Sequence, residues 1–213
     1  MNTHTTSLAQ TRRRTILRTA LVGALTLATL ASMQGCIALL GVGAVAGGMS
    51  LNDRRTGGTQ IEDQSIELKS GGRLREAIGE KGHINVTSYN RVALLTGEVP
   101  SDAEKAGAEK AIAGIEGVTN VVNELEVGAN STLSTRSSDT VITTRVKSAL
   151  IDAKDVQASA IKVVTERGNV YLMGRVTERE ATRASEVARA QASVMKVVRV
   201  FEILSEEQLG NLK

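Results

Sequence analysis

Two stretches of the chain carry the same order of apolar and polar positions. Residues 84–106 (INVTSYNRVALLTGEVPSDAEKA) and 161–184 (IKVVTERGNVYLMGRVTEREATRA) each open on an alternating run, break at a short polar segment and resume in a second apolar run. Alternation with period two is the pattern of a strand with one buried face, and a polar break between two such runs is that of a hairpin. Ile84, Val86, Leu95, Gly97 and Val99 match Ile161, Val163, Leu172, Gly174 and Val176 at a constant offset of 77 residues, which falls to 76 past Pro100. A single-residue gap at a loop proline is what a duplicated unit shows, so the chain holds two copies of one supersecondary unit.

Each copy reads as strand, turn, strand, helix, strand. Turns are expected at Tyr89-Asn90-Arg91 and at Arg167-Gly168-Asn169, since Asn and Gly tolerate positive φ. Ser101 with Glu104, and Thr177 with Glu180, have the spacing of a capping box, so a helix begins at each. Their buried faces are expected to be Ala103, Ala106, Ala111 and Ile115 in the first copy and Ala181, Ala184, Val187 and Ala188 in the second. Closing strands follow at about residues 120–127 and 197–204. A helix also opens each copy. In the second, Ser138 or Asp139 caps residues 140–151, with Ile142, Val146, Ala149 and Leu150 on one stripe. In the first, residues 66–78 are interrupted by Gly71-Gly72, each costing about 1 kcal/mol in a helix, which predicts a short or kinked element.

A tight hairpin is antiparallel, whereas a strand–helix–strand crossover is parallel. The expected fold is therefore α+β: two tandem modules, each a small mixed three-stranded sheet covered by two helices. Residues 92–95 are apolar without alternation, which predicts a strand covered on both faces, with the second sheet as one cover.

Outside the modules, residues 1–35 hold no acidic side chain, a basic cluster at Arg12, Arg13, Arg14 and Arg18, and an apolar run over 20–31, the layout of a secretory signal. Gly35-Cys36 follows as in a lipobox, so Cys36 is the expected diacylated N-terminus of the mature chain. Ile37 after it favours sorting to the outer membrane, facing the periplasm. The alternative of a membrane span over residues 20–48 is weakened by Ser32, Gln34 and several glycines. The remaining segments are an acylated tether (36–64), a first module (65–127), a linker (128–138), a second module (139–204) and a tail (205–213).

Charge changes the picture once the signal is removed. The whole chain has 26 basic and 23 acidic residues, and all four basic residues lost with the signal are uncompensated, which leaves the mature protein nearly neutral. The balance is uneven: residues 65–127 carry seven basic against ten acidic side chains, and residues 139–204 eleven against eight. A basic second module is compatible with an anionic partner.

Catalytic chemistry has little material. The single cysteine is consumed by acylation, His4 leaves with the signal, and His83 has no counterpart in the second copy and reads as a surface residue. No nucleophile–base set, metal-ligand cluster or phosphate loop is spaced for function, so neither cofactor, metal nor small-molecule substrate is expected. Tyr89, Tyr171 and Phe201 are the only aromatic residues, too few to stack nucleic-acid bases.

The residues GTQIEDQSIELK (58–69), INVTSY (84–89), VITTRVKSAL (141–150) and YLMGRVTEREA (171–181) resemble BON domains. The arrangement of signal, lipobox and two such units resembles dual-BON outer-membrane lipoproteins. The resemblance implies an α-β-β-α-β fold per module, a non-enzymatic role in the outer-membrane barrier, and binding of anionic phospholipid by the opening helix of the second module. Candidate contacts are Val141, Ile142, Arg145, Val146 and Lys147. Ile142, Val146 and Leu150 also have the spacing of a core face and are expected to turn inward, leaving Val141, Arg145 and Lys147 the main contacts. Two positions depart from the pattern: Val141 stands where relatives can carry an aromatic, and Gly117 of the first copy is Ser193 in the second. The other reading is a periplasmic adaptor that docks envelope or peptidoglycan-associated proteins through its basic face or a sheet edge.

Overall fold

The computed structural model describes residues 53–211, in which the two repeats form two modules of one topology. The first comprises α1 (Gly57–Ile78), β1 (His83–Tyr89), β2 (Val92–Val99), α2 (Asp102–Ala113), β3 (Asn120–Asn123) and β4 (Glu126–Val127). The second comprises α3 (Leu133–Asp152), a 3-10 turn (Ala158–Ala160), β5 (Ile161–Glu166), β6 (Asn169–Val176), α4 (Glu178–Arg189) and β7 (Lys196–Ile203), and a short α5 (Glu206–Gly210) follows. β1 pairs antiparallel with β2, and β3 and β4 run parallel to it. β5, β6 and β7 repeat that order. The expected α+β modules are therefore present, with one irregularity. The last strand of the first module is broken at Glu124-Leu125, where the Asn123 side chain accepts the Leu125 N–H and Leu125 turns into the core.

Both hairpins turn on two residues of positive φ, Asn90 (50°) and Arg91 (66°), and Arg167 (51°) and Gly168 (77°). Such turns match the twist of the flanking strands, but a left-handed arginine is unfavourable. A buried carboxylate from each opening helix offsets the cost. Asp63 accepts the N–H groups of Asn90 and Arg91 at 2.8 Å each, and Asp139 those of Arg167 and Gly168 at the same distance.

Asp139 is thus not a helix cap. α3 starts at Leu133, capped by Thr132, inside the stretch read as linker, and α1 starts at Gly57, capped by Thr56, inside the stretch read as tether. Gly71 and Gly72 do not interrupt α1. Ile66, Ser70 and Leu74 are buried along it, and packing of that face outweighs the glycine penalty. Of the two expected capping boxes only Thr177–Glu180 is complete. Ser101 accepts only the Ala103 N–H, and Glu104 is drawn to the Ser101 hydroxyl and to Lys81. The buried face of α4 holds Ala181, Ala184 and Ala188 as expected, whereas α2 buries Ala108 and Ile112 and exposes Ala103 and Ala106.

Each helix pair covers one face of its sheet. The opposite faces pack on each other through Tyr89, Leu94, Tyr171 and Met173, with Val122, Val164, Val198 and Val200 around them. β1 lies over β5 and runs the opposite way: Asn85 reaches Glu166, the Ser88 carbonyl accepts from Lys162, and the Tyr89 hydroxyl donates to the Ala160 carbonyl. Asn90 bonds Glu202 just as Arg167 pairs with Glu126, so the two copies meet about an approximate two-fold axis.

The junction also uses the charge asymmetry. Lys162 pairs with Glu67 at 2.8 Å, Arg167 with Glu98 at 3.4 Å, and Lys196 with Glu124 at 3.7 Å, each a basic group of the second module on an acid of the first. Residues 53–55 bind both modules. Arg54 makes a bidentate contact with Glu180 at 2.7 and 2.8 Å and donates to the Arg175 carbonyl, while Arg55 pairs with Asp63 and lies 4.1 Å above the Tyr89 ring. Burial pushes the Tyr89 phenol up to about 12.

Candidate membrane-binding site

α3 is anchored by one face and offers the other to solvent. Ile142, Val146 and Leu150 are core residues, 4%, 0% and 1% exposed, packed on β5 and α4. This corrects the placing of Ile142 and Val146 among the lipid contacts: a residue sealed between helix and sheet cannot touch a headgroup. Val141, Arg145 and Lys147 are exposed. Cys36 lies outside the described residues.

The longer helix brings out contacts that the sequence reading missed. Leu133, Val141 and Ile151 are 79%, 55% and 71% exposed. Leu133 and Ile151 lie about five whole turns of 3.6 residues apart, so they face one direction, with Val141 beside the line joining them. Thr140 and Thr144 lie on the same side. Their hydroxyls donate to the Arg136 and Thr140 carbonyls one turn back, as Ser137 and Ser138 do to Leu133 and Ser134. With the hydroxyls satisfied inside the helix, the outward face is less polar than its composition suggests.

Lys147 and Arg145 flank this face on opposite sides. Arg145 also donates to the Ala192 carbonyl at 2.9 Å, which holds it beside the loop carrying Met195, 80% exposed. No carboxylate among the described residues pairs with Arg145 or Lys147. The Leu133 signal was hidden because the Ser/Thr-rich segment around it reads as linker. Met195 carries none, since its exposure follows from the positive φ of Ser193 and the contact of its loop with Gly168.

The BON domain family model matches residues 62–129 and again 138–205. The chain belongs to the BON-domain family. This BON protein is similar to proteins from three bacteria. Outer membrane lipoprotein DolP of Haemophilus influenzae is 39% identical over 175 residues, covering 81% of this chain and 90% of that one. The 21 kDa hemolysin of Actinobacillus pleuropneumoniae is 37% identical, over 70% and 78% of the two chains. Osmotically-inducible protein Y of Escherichia coli is 31% identical, over 66% and 72%. Both BON modules begin within an opening helix whose buried Asp, Asp63 or Asp139, holds the hairpin. No helix among the described residues is long and apolar enough to cross a membrane.

Proposed function

We propose that this BON protein is a non-enzymatic lipoprotein of the outer membrane, anchored through acylated Cys36 and facing the periplasm, whose second module rests α3 on anionic phospholipid in support of envelope integrity. One observation carries the reading: Leu133 and Ile151 face one way on the outward side of α3 with Val141 beside them, and Arg145 and Lys147, neither paired with a carboxylate among the described residues, flank that face. A helix with exposed apolar side chains along its length lies flat at a bilayer interface, and each cation near an anionic surface adds about 1 kcal/mol. The similarity to an outer membrane lipoprotein over most of both chains supports the location. Without an aromatic at position 141 the contact is shallow, and the anchor compensates by confining the module near the surface.

The test is co-sedimentation of residues 53–213 with liposomes of anionic or purely zwitterionic phospholipid. The fragment starts at Asp53 because Arg54 and Arg55 belong to the folded unit. Binding is expected only to anionic liposomes, to fall with salt, and to be lost in Arg145→Glu/Lys147→Glu and in Leu133→Glu/Ile151→Glu. Equal binding by either double variant overturns the site. Absence of binding to both liposomes leaves the acylated cysteine as the membrane contact and turns the search to protein partners.

A further inference from the structure

The two ends of the junction between the modules are equivalent by the repeat and unlike in chemistry. At the offset of 77, His83 corresponds to Ala160 and Tyr89 to Glu166. At one end the Tyr89 ring seals the gap, its hydroxyl on the Ala160 carbonyl and Arg55 above it. At the other, His83 and Glu166 face each other, and β1–β2 pairing sets Glu98 directly opposite His83. One ligating atom from each of His83, Glu98 and Glu166 falls within 4.8 Å of the others.

His83 Nδ1 is buried and has no hydrogen-bond partner. It lies 3.6 Å from Glu98 Oε2, too far for a hydrogen bond. That spacing matches two ligands of one tetrahedral ion: metal–ligand bonds of about 2.1 Å set ligand atoms about 3.4 Å apart. The carboxylates are already oriented. Glu98, fully buried, accepts from the Ser131 N–H and from Arg167, and Glu166 accepts from Asn85 with one oxygen and leaves the other free. Hydrogen bonds of this kind orient metal ligands. A cleft of about 450 Å³, bordered by His83, Glu166 and Lys147, gives entry from solvent and room for a water as fourth ligand. Arg167 Nη1 stands 3.4 Å from Glu98 Oε1 and 3.6 Å from Glu126 Oε2, so its one charge is divided between two acids.

We infer that His83, Glu98 and Glu166 form a site for a divalent transition metal of the Zn²⁺ class, which ties the start of β1 and the end of β2 to the end of β5. One imidazole and two carboxylates suit Zn²⁺ better than Ca²⁺ or Mg²⁺, which take oxygen ligands only. The ion would close this end of the junction as Tyr89 closes the other.

The experiment is calorimetric titration of the chelator-treated full-length protein with Zn²⁺, with melting curves in parallel. One equivalent is expected to bind and to raise the melting temperature. His83→Ala, a side chain partly open to solvent, and Glu166→Gln, whose amide keeps the Asn85 contact, are each expected to weaken that event at least tenfold and to abolish the thermal shift. His4 and Cys36 are zinc-binding residue types, so binding that persists unchanged in His83→Ala or in Glu166→Gln overturns the site, as does the absence of a stoichiometric event in the parent.

Discussion

Replacing Arg54 by Ala tests whether the strap before α1 is part of the fold. Both partners of the Arg54–Glu180 pair are nearly buried, with 7% and 6% of their side chains exposed. Removing one member of such a pair costs about 3–5 kcal/mol, most of it from the charge left behind. Glu180 keeps the Thr177 N–H at 3.0 Å, and the strap can lift to admit water, so the expected loss is at the lower end, about 3 kcal/mol at pH 7. The pH dependence supplies a second handle. Burial disfavours ionised Glu180, but Arg54 and the Thr177 N–H outweigh it and hold the carboxyl below its usual value. A depressed folded-state pKa contributes stability above the unfolded value, near 4.3 for Glu, and that contribution is lost as pH falls through the folded value. The gap between parent and Arg54→Ala should therefore be widest near neutrality and shrink below about pH 4. Urea denaturation of residues 53–213 across that range, with Glu180→Gln completing a double-mutant cycle, measures both quantities. A loss under about 1 kcal/mol at pH 7, or a gap that does not shrink in acid, refutes the reasoning.

Three further outcomes are expected. A Cβ on Gly174 would lie 2.4 Å from the Ala160 carbonyl and one on Gly97 2.0 Å from that of His83, where φ is also +110°. Gly174→Ala should cost about 1–3 kcal/mol in thermal unfolding and Gly97→Ala more, and the reverse order would contradict the geometry. Asp139→Ala removes the acceptor of two turn amides and should cost about 2–4 kcal/mol, with faster amide exchange at Arg167 and Gly168 than at Asn90 and Arg91. Thr177→Ala breaks a complete capping box and should destabilise by about 1 kcal/mol in urea unfolding, while Ser101→Ala, which loses a single cap bond, costs less.

The repeat, both hairpins, the parallel last strands and the alanine face of α4 were legible because each is a local pattern. The starts of α1 and α3 were not. Glycine in one and serine and threonine in the other are weak helix formers, and these segments are helical because Thr56 and Thr132 cap them and a buried face holds them down. Asp139 reads in sequence as a helix cap, and only its offset of 76 from Asp63 marks the two as one device used twice. The phase of α2 was misread from its alanines; carrying α4 over by the same offset would have placed Ala108 and Ile112 inside. Of the candidate lipid contacts, Val141, Arg145 and Lys147 are on the surface, and Ile142 and Val146 are not, because one helix stripe cannot be both core and interface. His83 read as a surface residue because the groups beside it, Glu98 and Glu166, come from a neighbouring strand and from the other module.

The back-to-back packing of the sheets makes each module a half that carries its own mate's surface. Only residues 128–132 join β4 to α3, and the faces that meet are built from the same repeat. A copy whose junction opens presents Tyr89 and Leu94 on one side and Tyr171 and Met173 on the other to any second open copy, which can close the same contacts between chains. Exchange of that kind needs no new interface. At high concentration, or with the junction weakened by Lys162→Glu, the protein should pass from monomer to reciprocal dimer in light scattering. A chain that stays monomeric under both conditions would show that the joint opens too rarely for partners to trade halves.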